Sequence, residues 1–421
     1  MSVQLGLREN LPQFSLLVAV NAFVGAMVGL ERSTLPLIGR EDFALTSSAA
    51  VLSFIVAFGL AKAFTNLGAG ALAQRLGRRR LLIAGWALAL PVPLLVALAP
   101  SWGWIVAANV LLGINQGLAW SMTVVMKIDL VGPRRRGFAL GLNEAAGYGG
   151  MALTAAITGW LATEYAARDV LVAAGAVIAV IALVASVALV RDTADHMALE
   201  QQQHADRTAD APVPDFRTAF ADATWRTPAL RSCSQAGLVN NLNDALSWGL
   251  VPLFLAAHGA SVGQVGLVAG IYLAVWGVGQ IAAGHASDQL GRKPMIVAGM
   301  LLQAGALGLL AGSDGAVGLA AVAATLLGVG TAMVYPTLIA AISDVVSPVA
   351  RASVVGIYRF WRDIGYVAGG LIAGLAADAI GYGGAIAVVA ALTAASGLWV
   401  AVDMPARRHS ATRLRRETIP T

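Results

Sequence analysis

The chain has 421 residues, of which 58% are hydrophobic and 12% charged, and its mean hydropathy is +0.73. About a quarter of the residues of soluble proteins are charged, so this composition excludes a soluble globular protein and indicates an integral membrane protein. The net charge of +5 comes from short basic clusters between apolar runs, which membrane topology explains better than nucleic-acid binding does. The one cysteine, Cys233, excludes an internal disulfide and a cysteine-based metal cluster, and we predict no metal site and no cofactor.

Twelve apolar runs approach or exceed the ~20 residues that a helix needs to cross ~30 Å of hydrocarbon. In the first half they cover approximately 14–37, 45–73, 81–99, 102–126, 138–163 and 170–190. In the second half they cover approximately 231–256, 262–286, 295–311, 317–342, 354–377 and 383–402. The N-terminal segment lacks a small-residue cleavage site and leads into a span too long for a signal peptide, so we expect it to be retained.

The segment between the two halves has a different composition. Residues 191–228 are rich in Gln, Asp, Ala and Pro and poor in large apolar residues. Such a composition predicts a largely unstructured linker, with room for a short surface helix around 216–225; the alternative is a regulatory segment. We therefore expect an N-terminal six-helix bundle (1–190), a cytoplasmic linker (191–230) and a C-terminal six-helix bundle with a cytoplasmic tail (231–421).

The two halves share an internal repeat. GHASDQLGRKP at 284–294 recurs as GALAQRLGRRR at 70–80, a spacing of 214 residues, and each copy joins two apolar runs. At a spacing of 215, Leu112, Gly113, Asp129, Pro133, Arg136 and Gly141 recur as Leu327, Gly328, Asp344, Pro348, Arg351 and Gly356. Pro36 pairs with Pro252 at 216. A register kept in three separate regions indicates two bundles related by an axis along the membrane normal, with the substrate path between them.

Both repeated loops resemble the signature G-x-x-x-D-[RK]-x-G-R-[RK] of the major facilitator superfamily, which follows the second and eighth helices of such transporters. The matching residues are Gly284, Asp288, Gly291, Arg292 and Lys293 in the second copy, and Gly70, Arg75, Gly77, Arg78 and Arg79 in the first. Gln289 replaces a basic residue, and Gln74 stands where the first copy should have Asp. The resemblance covers 11–402 and implies an all-α membrane protein with twelve transmembrane helices in two pseudo-symmetric six-helix bundles.

The distribution of Lys and Arg predicts the orientation in the membrane. Of the 28 such residues, Arg40 and Arg168 lie in loops on one side, four lie within spans, and the remaining 22 lie on the other side. Short basic loops remain on the cytoplasmic side. Both termini and the signature loops are therefore predicted to be cytoplasmic, in a multi-pass protein of the cytoplasmic membrane.

The resemblance also implies a cytoplasmic charge cluster that locks the outward-facing state. Its members would be Arg78, Arg79, Asp129, Arg136 and Asp192 in the first half, and Asp288, Arg292, Lys293, Asp344, Arg351 and Asp403 in the second. Ion pairs that form and break as two bundles rock bias one state by a few kcal/mol. Gln74 cannot carry the charge of the missing Asp, so we expect a looser lock in the first half. The alternative is that these arginines only enforce the topology.

Eight charged residues fall within predicted spans, where each costs ~2.5 to 3.5 kcal/mol and normally faces a cavity or a partner. They are Glu31, Arg32, Lys62, Glu144, Asp244, Arg359, Arg362 and Asp363. None lies on the third, sixth, ninth or twelfth span. The resemblance implies that the other eight helices line a central cavity, so this partition fits a central polar path.

The eleventh span carries the densest polar cluster. Arg359, Arg362 and Asp363 are spaced to share one face of a helix, and Tyr366 follows one turn later. Guanidinium groups offer a bidentate fork that suits a carboxylate or a phosphate. The alternative is a structural network in which Asp363 neutralises one arginine and Glu144 or Asp244 the other.

Three intramembrane charges are candidates for proton coupling. Lys62, in the middle of a long apolar span, is a possible proton or substrate switch, and Glu31 and Glu144 are candidate proton carriers. Either glutamate could instead pair with Lys62. We favour Glu144, because Asn143 and Glu144 lie well inside the fifth span whereas Glu31 is near the end of the first.

Amide and aromatic residues complete the predicted lining of the path. They are Asn115, Gln116, Trp120, Asn240, Asn241, Trp248, Tyr272, Trp276, Gln280 and Tyr335. Individually each fits helix packing or an interfacial anchor, and together they suggest a mixed polar and aromatic pocket. The family's antiporter motif G-P-x-x-G-G on the fifth helix is not matched, because the segment 147–150 reads GYGG; this disfavours a drug/proton antiporter.

The sequence therefore predicts a secondary transporter that moves a small organic molecule by alternating access, coupled to protons. Export of an amphipathic compound and transport of an organic anion both remain open. We expect a monomer in the lipid bilayer with no nucleic-acid partner. The alternative class is a membrane receptor, sensor or enzyme built on a transporter scaffold; the chain has no H-E-x-x-H, no G-x-S-x-G, no nucleotide loop and no predicted soluble output domain.

Overall fold

The computed structural model describes residues 3–132, 136–205, 215–346 and 350–405. Within these ranges all regular secondary structure is helical. The helices are α1 (Leu11–Arg32), α2 (Leu35–Glu41), α3 (Ser48–Leu76), α4 (Arg78–Ala89), α5 (Pro91–Ala97), α6 (Trp102–Val131), α7 (Arg136–Leu161), α8 (Ala167–Ala188), α9 (Ala194–Ala205), α10 (Phe216–Ala221), α11 (Pro228–Ala257), α12 (Val262–Leu290), α13 (Arg292–Ala311), α14 (Val317–Val345) and α15 (Arg351–Asp403). One turn of π-helix, Asp222–Arg226, follows α10.

These helices form the twelve predicted spans. In the described part of the chain, nine helical segments are long and apolar enough to cross a membrane, and the last of them, within α15, holds two spans. The backbone of α15 turns at Gly381, where φ is +77°, so the eleventh and twelfth spans meet there. The polar helix α11 and the helix α7 occupy the positions of the seventh and fifth spans. The fold class predicted from the sequence is therefore confirmed.

Two predicted spans are each divided by a proline. The first breaks between α1 and α2, where Pro36 lies in the first turn of α2, and the third breaks at Leu90, where Pro91 begins α5. Proline lacks an N–H and clashes with the carbonyl group four residues earlier, so a helix ends or kinks just before it. The apolar pattern alone does not reveal these breaks.

Each signature loop is a joint of one glycine between two helices. Gly77 separates α3 from α4 with φ +87°, and Gly291 separates α12 from α13 with φ +93°. A side chain with a Cβ is strained in this left-handed region, so the signature requires glycine at these two positions. The side of the molecule that carries both joints is called the signature side below, and the opposite side the far side.

The linker is more ordered than predicted. Residues 194–205 form α9, so the expectation of a largely unstructured linker is wrong for this part. The segment is composed mainly of good helix formers, and Asp192 Oδ1 accepts a hydrogen bond of 2.9 Å from the Ala194 amide at its start. The expected short surface helix is present as α10 and the π-turn. Residues 206–214 lie outside the described ranges.

The two halves pack closely on the far side. There α3 lies against α15, and α7 against α12. A Cβ added at Gly159 of α7 would lie 2.7 Å from Gly266 Cα of α12, and one added at Gly374 of α15 would lie 2.6 Å from Ala49 Cα of α3. Both approaches are too close for any side chain, so the far side is closed.

The same four helices separate toward the signature side. Gly70, Gly141, Gly284 and Gly356 lie one on each of them, and a Cβ added at any of these would meet no described atom within 4 Å. Helical spacing places Gly70 on the face of α3 that carries Asn66, and Gly356 on the face of α15 that carries Asp363. Among the described residues, the two halves are therefore separated on the signature side.

Candidate functional site

A polar and aromatic cavity lies between the two halves at the point where they begin to separate. Its lining comes from α3, α6 and α7 of the first half and from α14 and α15 of the second. The lining residues are Lys62, Asn66, Trp120, Ser121, Tyr148, Met151, Tyr335, Arg359, Arg362 and Tyr366. Six of these ten are among the charged and aromatic residues that the sequence predicts for the path: Lys62, Trp120, Tyr335, Arg359, Arg362 and Tyr366.

Asp363 is the centre of the cationic side of this cavity. It is fully buried, and its Oδ1 accepts hydrogen bonds from Arg362 Nη2 at 2.7 Å and from Arg362 Nε at 3.0 Å. Asn66 Nδ2 donates to Oδ2 at 2.5 Å, and Lys62 Nζ lies 3.9 Å from Oδ1. One carboxylate therefore serves two cations, and Lys62 pairs with Asp363 rather than with Glu31 or Glu144.

Glu144 lies behind the opposite wall, in the first half, where it contacts the lining residue Trp120. Its Oε1 accepts hydrogen bonds from Trp120 Nε1 at 3.0 Å and from Asn143 Nδ2 at 3.2 Å. Tyr335 of α14 donates its hydroxyl proton to Oε2 at 3.2 Å and accepts a hydrogen bond from Arg362 Nη1. A continuous chain of hydrogen bonds therefore runs from Glu144 through Tyr335 and Arg362 to Asp363, and it crosses from one half to the other.

Arg359 faces the same cavity without a carboxylate partner. No acidic side chain of the described residues lies within ion-pair distance of it, and its Nε lacks a hydrogen-bond partner there. With Lys62 and Arg362 it gives the cavity three basic side chains, against Asp363 and Glu144. The cavity thus carries a surplus of positive charge, which favours an anionic ligand.

A second buried network closes the far side of this cavity. Arg32 of α1 donates to Asp244 of α11 through Nη1 at 2.8 Å and Nη2 at 3.2 Å, and its guanidinium group lies 4.6 Å from the ring centre of Trp248. Tyr366 donates its hydroxyl proton to Asp244 Oδ2 at 2.5 Å. Arg32 is 2% exposed and Asp244 0%. This bidentate pair joins the two halves across 212 residues of sequence.

The remaining predicted path residues lie outside the cavity lining. Asn115 donates to the Gly85 carbonyl at 2.9 Å, and Gln116 donates to the Val24 carbonyl at 3.1 Å, so both join helices of the first half. Tyr272 lines a separate apolar cavity of about 30 Å³ beside Arg32. Trp276 borders the site, because its ring centre lies 3.8 Å from that of Tyr148.

Glu31 is buried beside α6 of the first half. It is 4% exposed, it is hydrogen-bonded to Asn109, and its Oε2 has no hydrogen-bond partner among the described side chains. It does not reach Lys62, whose partner is Asp363. Glu31 is therefore separated from the central network, although it adjoins Arg32 in sequence.

The signature-side charges form ion pairs within each half. In the first half, Arg78 Nε lies 2.7 Å from Asp129 Oδ2, and Asp192 Oδ2 accepts from the Arg79 amide at 3.1 Å. Thr193 donates to the same Asp129 oxygen at 2.6 Å, which connects the start of the linker to this pair.

The second half repeats the arrangement. Arg292 Nη2 lies 2.6 Å from Asp288 Oδ1, and Arg292 Nε lies 3.2 Å from Asp344 Oδ2. Lys293 donates to the Met404 carbonyl at 2.6 Å, and Asp403 pairs with Arg231. The side chains of Arg136, Arg351 and Gln74 lie outside the described part of the structure. Each of the ion pairs given above for this set lies within one half.

Four polar residues near the site were not predicted from the sequence: Asn66, Ser121, Tyr148 and Lys127. Asn66 lies four residues after Lys62 on α3 and binds both Asp363 and Ser121 Oγ, the latter at 2.8 Å. Tyr148 and Lys127 were also omitted, and Lys127 is fully buried with its Nζ 3.2 Å from the Leu17 carbonyl. The i, i+4 spacing from Lys62 was the available signal for Asn66, and Tyr148 is one turn after Glu144. Lys127 was missed because the predicted fourth span ended one residue before it.

Comparison with known proteins agrees with this architecture. A family model described as Major Facilitator Superfamily matches residues 14–234 and 233–420. A solved structure of a mutant of the nucleoside transporter NupG aligns with a TM-score of 0.72 at 14% identity, covering 93% of this chain and 100% of that chain. At this identity the likeness shows the fold.

One curated relative is a protein of Cupriavidus pinatubonensis described as "Probable 4-methylmuconolactone transporter". It is 24% identical over 236 residues, which is 55% of this chain and 52% of that protein. The match therefore spans about half the length of the relative.

In the described ranges, helices at the positions of the twelve predicted spans surround this polar cavity, and together with the family match they define a multi-pass membrane transport protein rather than an enzyme. The chain belongs to the major facilitator superfamily.

Proposed function

We propose that this protein carries a small organic anion across the cytoplasmic membrane, coupled to protons, by alternating access. The observation that carries the proposal is the surplus of basic side chains at the central cavity. Lys62, Arg359 and Arg362 line it, and Asp363 is the one described carboxylate within ion-pair distance of any of them. Cations within a membrane that their surroundings do not neutralise are costly, and an anionic substrate would supply the charge that Arg359 lacks.

The walls of the cavity favour a compact, unsaturated or cyclic carboxylate. Trp120, Tyr148, Tyr335 and Tyr366 surround the basic groups and offer flat apolar faces that alternate with hydroxyl and indole hydrogen-bond donors. The relative described as "Probable 4-methylmuconolactone transporter" is named for a lactone, which fits a small cyclic substrate. This relative supports the class of substrate rather than its identity.

Glu144 is the residue that we assign to proton coupling. It lies across the cavity from Arg362 and reaches it through Tyr335, so its negative charge opposes the binding of an anion. Protonation removes that charge and favours anion binding. The proton and the anion therefore strengthen each other's binding and are carried in the same direction. Glu144→Gln is expected to abolish proton-driven accumulation while substrate exchange continues, and an unaltered pH dependence of transport would rule out this role.

The open side is assigned to the cytoplasm on the basis of the Lys and Arg distribution. On this assignment we infer an inward-open state, which the Arg32–Asp244 pair and the glycine contacts on the far side support. The units 1–190 and 231–421 would rock about the site as single bodies, joined by 191–230, in a protein that acts as a monomer. A topology reporter placed at Gly259 is expected to respond from outside the cell, and a cytoplasmic response would reverse the assignment.

A second candidate is export of an amphipathic compound. The apolar cavity beside Arg32 favours it, because Val265, Tyr272 and Leu307 contribute to an apolar wall that adjoins a buried cation. Such a wall suits a hydrophobic group on the substrate.

A transport screen in proteoliposomes separates these candidates. Loaded vesicles are tested for counterflow of 4-methylmuconolactone and benzoate as anions, of uridine as a neutral solute, and of tetraphenylphosphonium as an amphipathic cation. We expect counterflow of at least one of the carboxylates, and none of the cation. Counterflow of the cation without that of either carboxylate contradicts the proposal and favours the second candidate.

A further inference from the structure

The hydroxyl group of Tyr335 occupies the position where the proton site and the anion site meet. It donates to Glu144 Oε2 at 3.2 Å and accepts a hydrogen bond from Arg362 Nη1. Glu144 belongs to the first half and Arg362 to the second, so one hydroxyl connects the two halves. The three residues are 3% to 7% exposed, so the contact is sheltered from water.

Asp363 leaves one edge of the Arg362 guanidinium group to other ligands. Asp363 Oδ1 accepts hydrogen bonds from Arg362 Nε at 3.0 Å and from Arg362 Nη2 at 2.7 Å. The Tyr335 hydroxyl oxygen accepts one from Arg362 Nη1. A carboxylate is bound most strongly through charge-assisted hydrogen bonds to guanidinium N–H groups. In the present state, the nitrogen that a substrate would approach is therefore already hydrogen-bonded to a phenol oxygen.

The protonation state of Glu144 determines whether the hydrogen bond between Arg362 and Tyr335 is favourable. A phenol hydroxyl has one proton to donate and lone pairs that accept. While Glu144 is ionised, it accepts a hydrogen bond from the Tyr335 hydroxyl group. The lone pairs of the phenol oxygen then face Arg362. When Oε2 of Glu144 carries a proton, it becomes a donor and no longer accepts from Tyr335. The phenol can then donate toward Tyr148 instead, and the protonated carboxyl of Glu144 competes with Arg362 Nη1 for the phenol oxygen, which weakens the contact between Tyr335 and Arg362.

We propose that Tyr335 is the positioning residue that couples proton binding at Glu144 to anion binding at Arg362. With Glu144 ionised, Tyr335 is held on Nη1 and competes with the substrate. With Glu144 protonated, Tyr335 turns away and the substrate carboxylate takes its place. No covalent bond to the substrate forms, and the added proton stays on Glu144. The inference rests on the proposed function and adds the device by which the two sites communicate.

The other groups that face Glu144 are not assigned the coupling role. The titratable or charged side chains around it in the described structure are Lys127 on α6, Tyr148 on α7, Tyr335 on α14 and, through Tyr335, Arg362 on α15. Of the other helices packed against α7, the two with the most extensive contact contribute neutral groups: Asn21 on α1 and Trp276 on α12. Lys127 lies on the first-half side of Glu144, so a change at Tyr335 leaves its influence in place.

The test is the pH dependence of anion binding to the purified full-length protein in detergent, measured by calorimetry with 4-methylmuconolactone and benzoate. In the wild type, affinity should rise as pH falls, by up to about tenfold per pH unit, because one proton is bound with each anion. Tyr335→Phe should flatten this slope. At high pH it should also bind the anion about fivefold more tightly than the wild type, which corresponds to the loss of one competing neutral hydrogen bond.

Tyr358→Phe is the matched control. Tyr358 is a fully buried tyrosine on α15, and its hydroxyl has no hydrogen-bond partner in the described structure, so the wild-type slope should remain. Tyr335→Leu also lacks the hydroxyl and serves as a second variant should the phenylalanine variant be unstable. In proteoliposomes, Tyr335→Phe should lose proton-driven accumulation and keep exchange.

The outcomes separate this inference from the function on which it rests. A Tyr335 variant that keeps the wild-type slope, or one that loses anion binding at every pH, overturns the coupling role and leaves anion transport standing. A wild-type protein that binds neither carboxylate, or binds them equally at every pH, overturns the proposed proton-coupled anion transport and this inference with it.

Discussion

The Arg32–Asp244 pair should control the closure of the far side, and Asp244→Asn tests this directly. Both side chains are buried, and the pair makes two hydrogen bonds, at 2.8 and 3.2 Å, between α1 and α11. Removing one partner leaves a buried guanidinium group without its charge. This typically costs about 3 to 5 kcal/mol, which converts to a shift of roughly a hundred- to several thousandfold toward states that hydrate Arg32.

Far-side opening can be measured with a reporter cysteine at Leu52. Leu52 is fully buried where α3 packs against Gly249 of α11, on the far side of the pair. The reporter is placed in a Cys233→Ser background, since Cys233 is the one cysteine of the chain. The rate of modification by a maleimide on polyethylene glycol, a reagent too large to pass the central cavity, then reports opening of the far side.

A double variant makes the test specific to the ion pair. Asp244→Asn alone should raise the labelling rate at Leu52→Cys by at least about tenfold. This is well below the full shift expected from an uncompensated buried charge. Arg32→Gln combined with Asp244→Asn should return most of the way to the parental rate, because replacing both partners removes the uncompensated charge. Equal labelling of the parent and Asp244→Asn, or a double variant as reactive as the single one, would refute the reasoning.

Three further predictions concern the site and its gates. Arg359→Gln should raise the KM for the transported carboxylate by about ten- to a hundredfold, the range of a charge-assisted hydrogen bond, whereas Arg359→Lys should lose less; uptake kinetics would show this. Asp378 of the second half accepts hydrogen bonds from Ser47 Oγ at 2.6 Å and from the Ala49 amide at 3.2 Å in the first half. Asp378→Ala should therefore raise the labelling rate at Leu52→Cys about fivefold, the effect of losing a helix cap. Gly159→Val should prevent far-side closure and abolish transport while ligand binding remains, measured by labelling and calorimetry together.

The class of fold was predictable because it depends on bulk properties of the chain. Apolar runs of about 20 residues must cross the bilayer as helices, and the repeated glycine-containing loops mark the same joint in each half. Helix breaks were less accessible, since Pro36 and Pro91 lie inside continuous apolar runs. Composition alone does not predict α9. Contacts of Met197 with Arg78 and of Thr193 with Asp129 also favour order in this segment.

The helices that carry the site were predictable, but the pairings were not. Charges inside spans are rare and costly, so Lys62, Glu144, Arg362 and Asp363 could be selected from the sequence alone. Helical spacing gives the face of a residue, but it does not give the rotation or depth of the helix opposite. Lys62 therefore could not be assigned to Asp363 in advance, nor Arg32 to Asp244.

Amide side chains illustrate the same limit. Asn115 and Gln116 were predicted to line the path, and the structure shows them bound to backbone carbonyl groups of α4 and α1. Asn66, which does reach the site, has the same chemistry and a similar position within its span. Only the neighbouring helix distinguishes an amide that joins two helices from one that faces a cavity.

The central claim is that one proton accompanies each anion through Glu144. The most direct test is to measure anion uptake and internal pH in the same proteoliposomes, with 4-methylmuconolactone or benzoate as the probe and no imposed pH gradient. The account predicts that the wild type acidifies the vesicle interior as the anion enters, and that Glu144→Gln exchanges the anion without any change in pH. Anion entry without acidification in the wild type, or acidification that persists in Glu144→Gln, would contradict it.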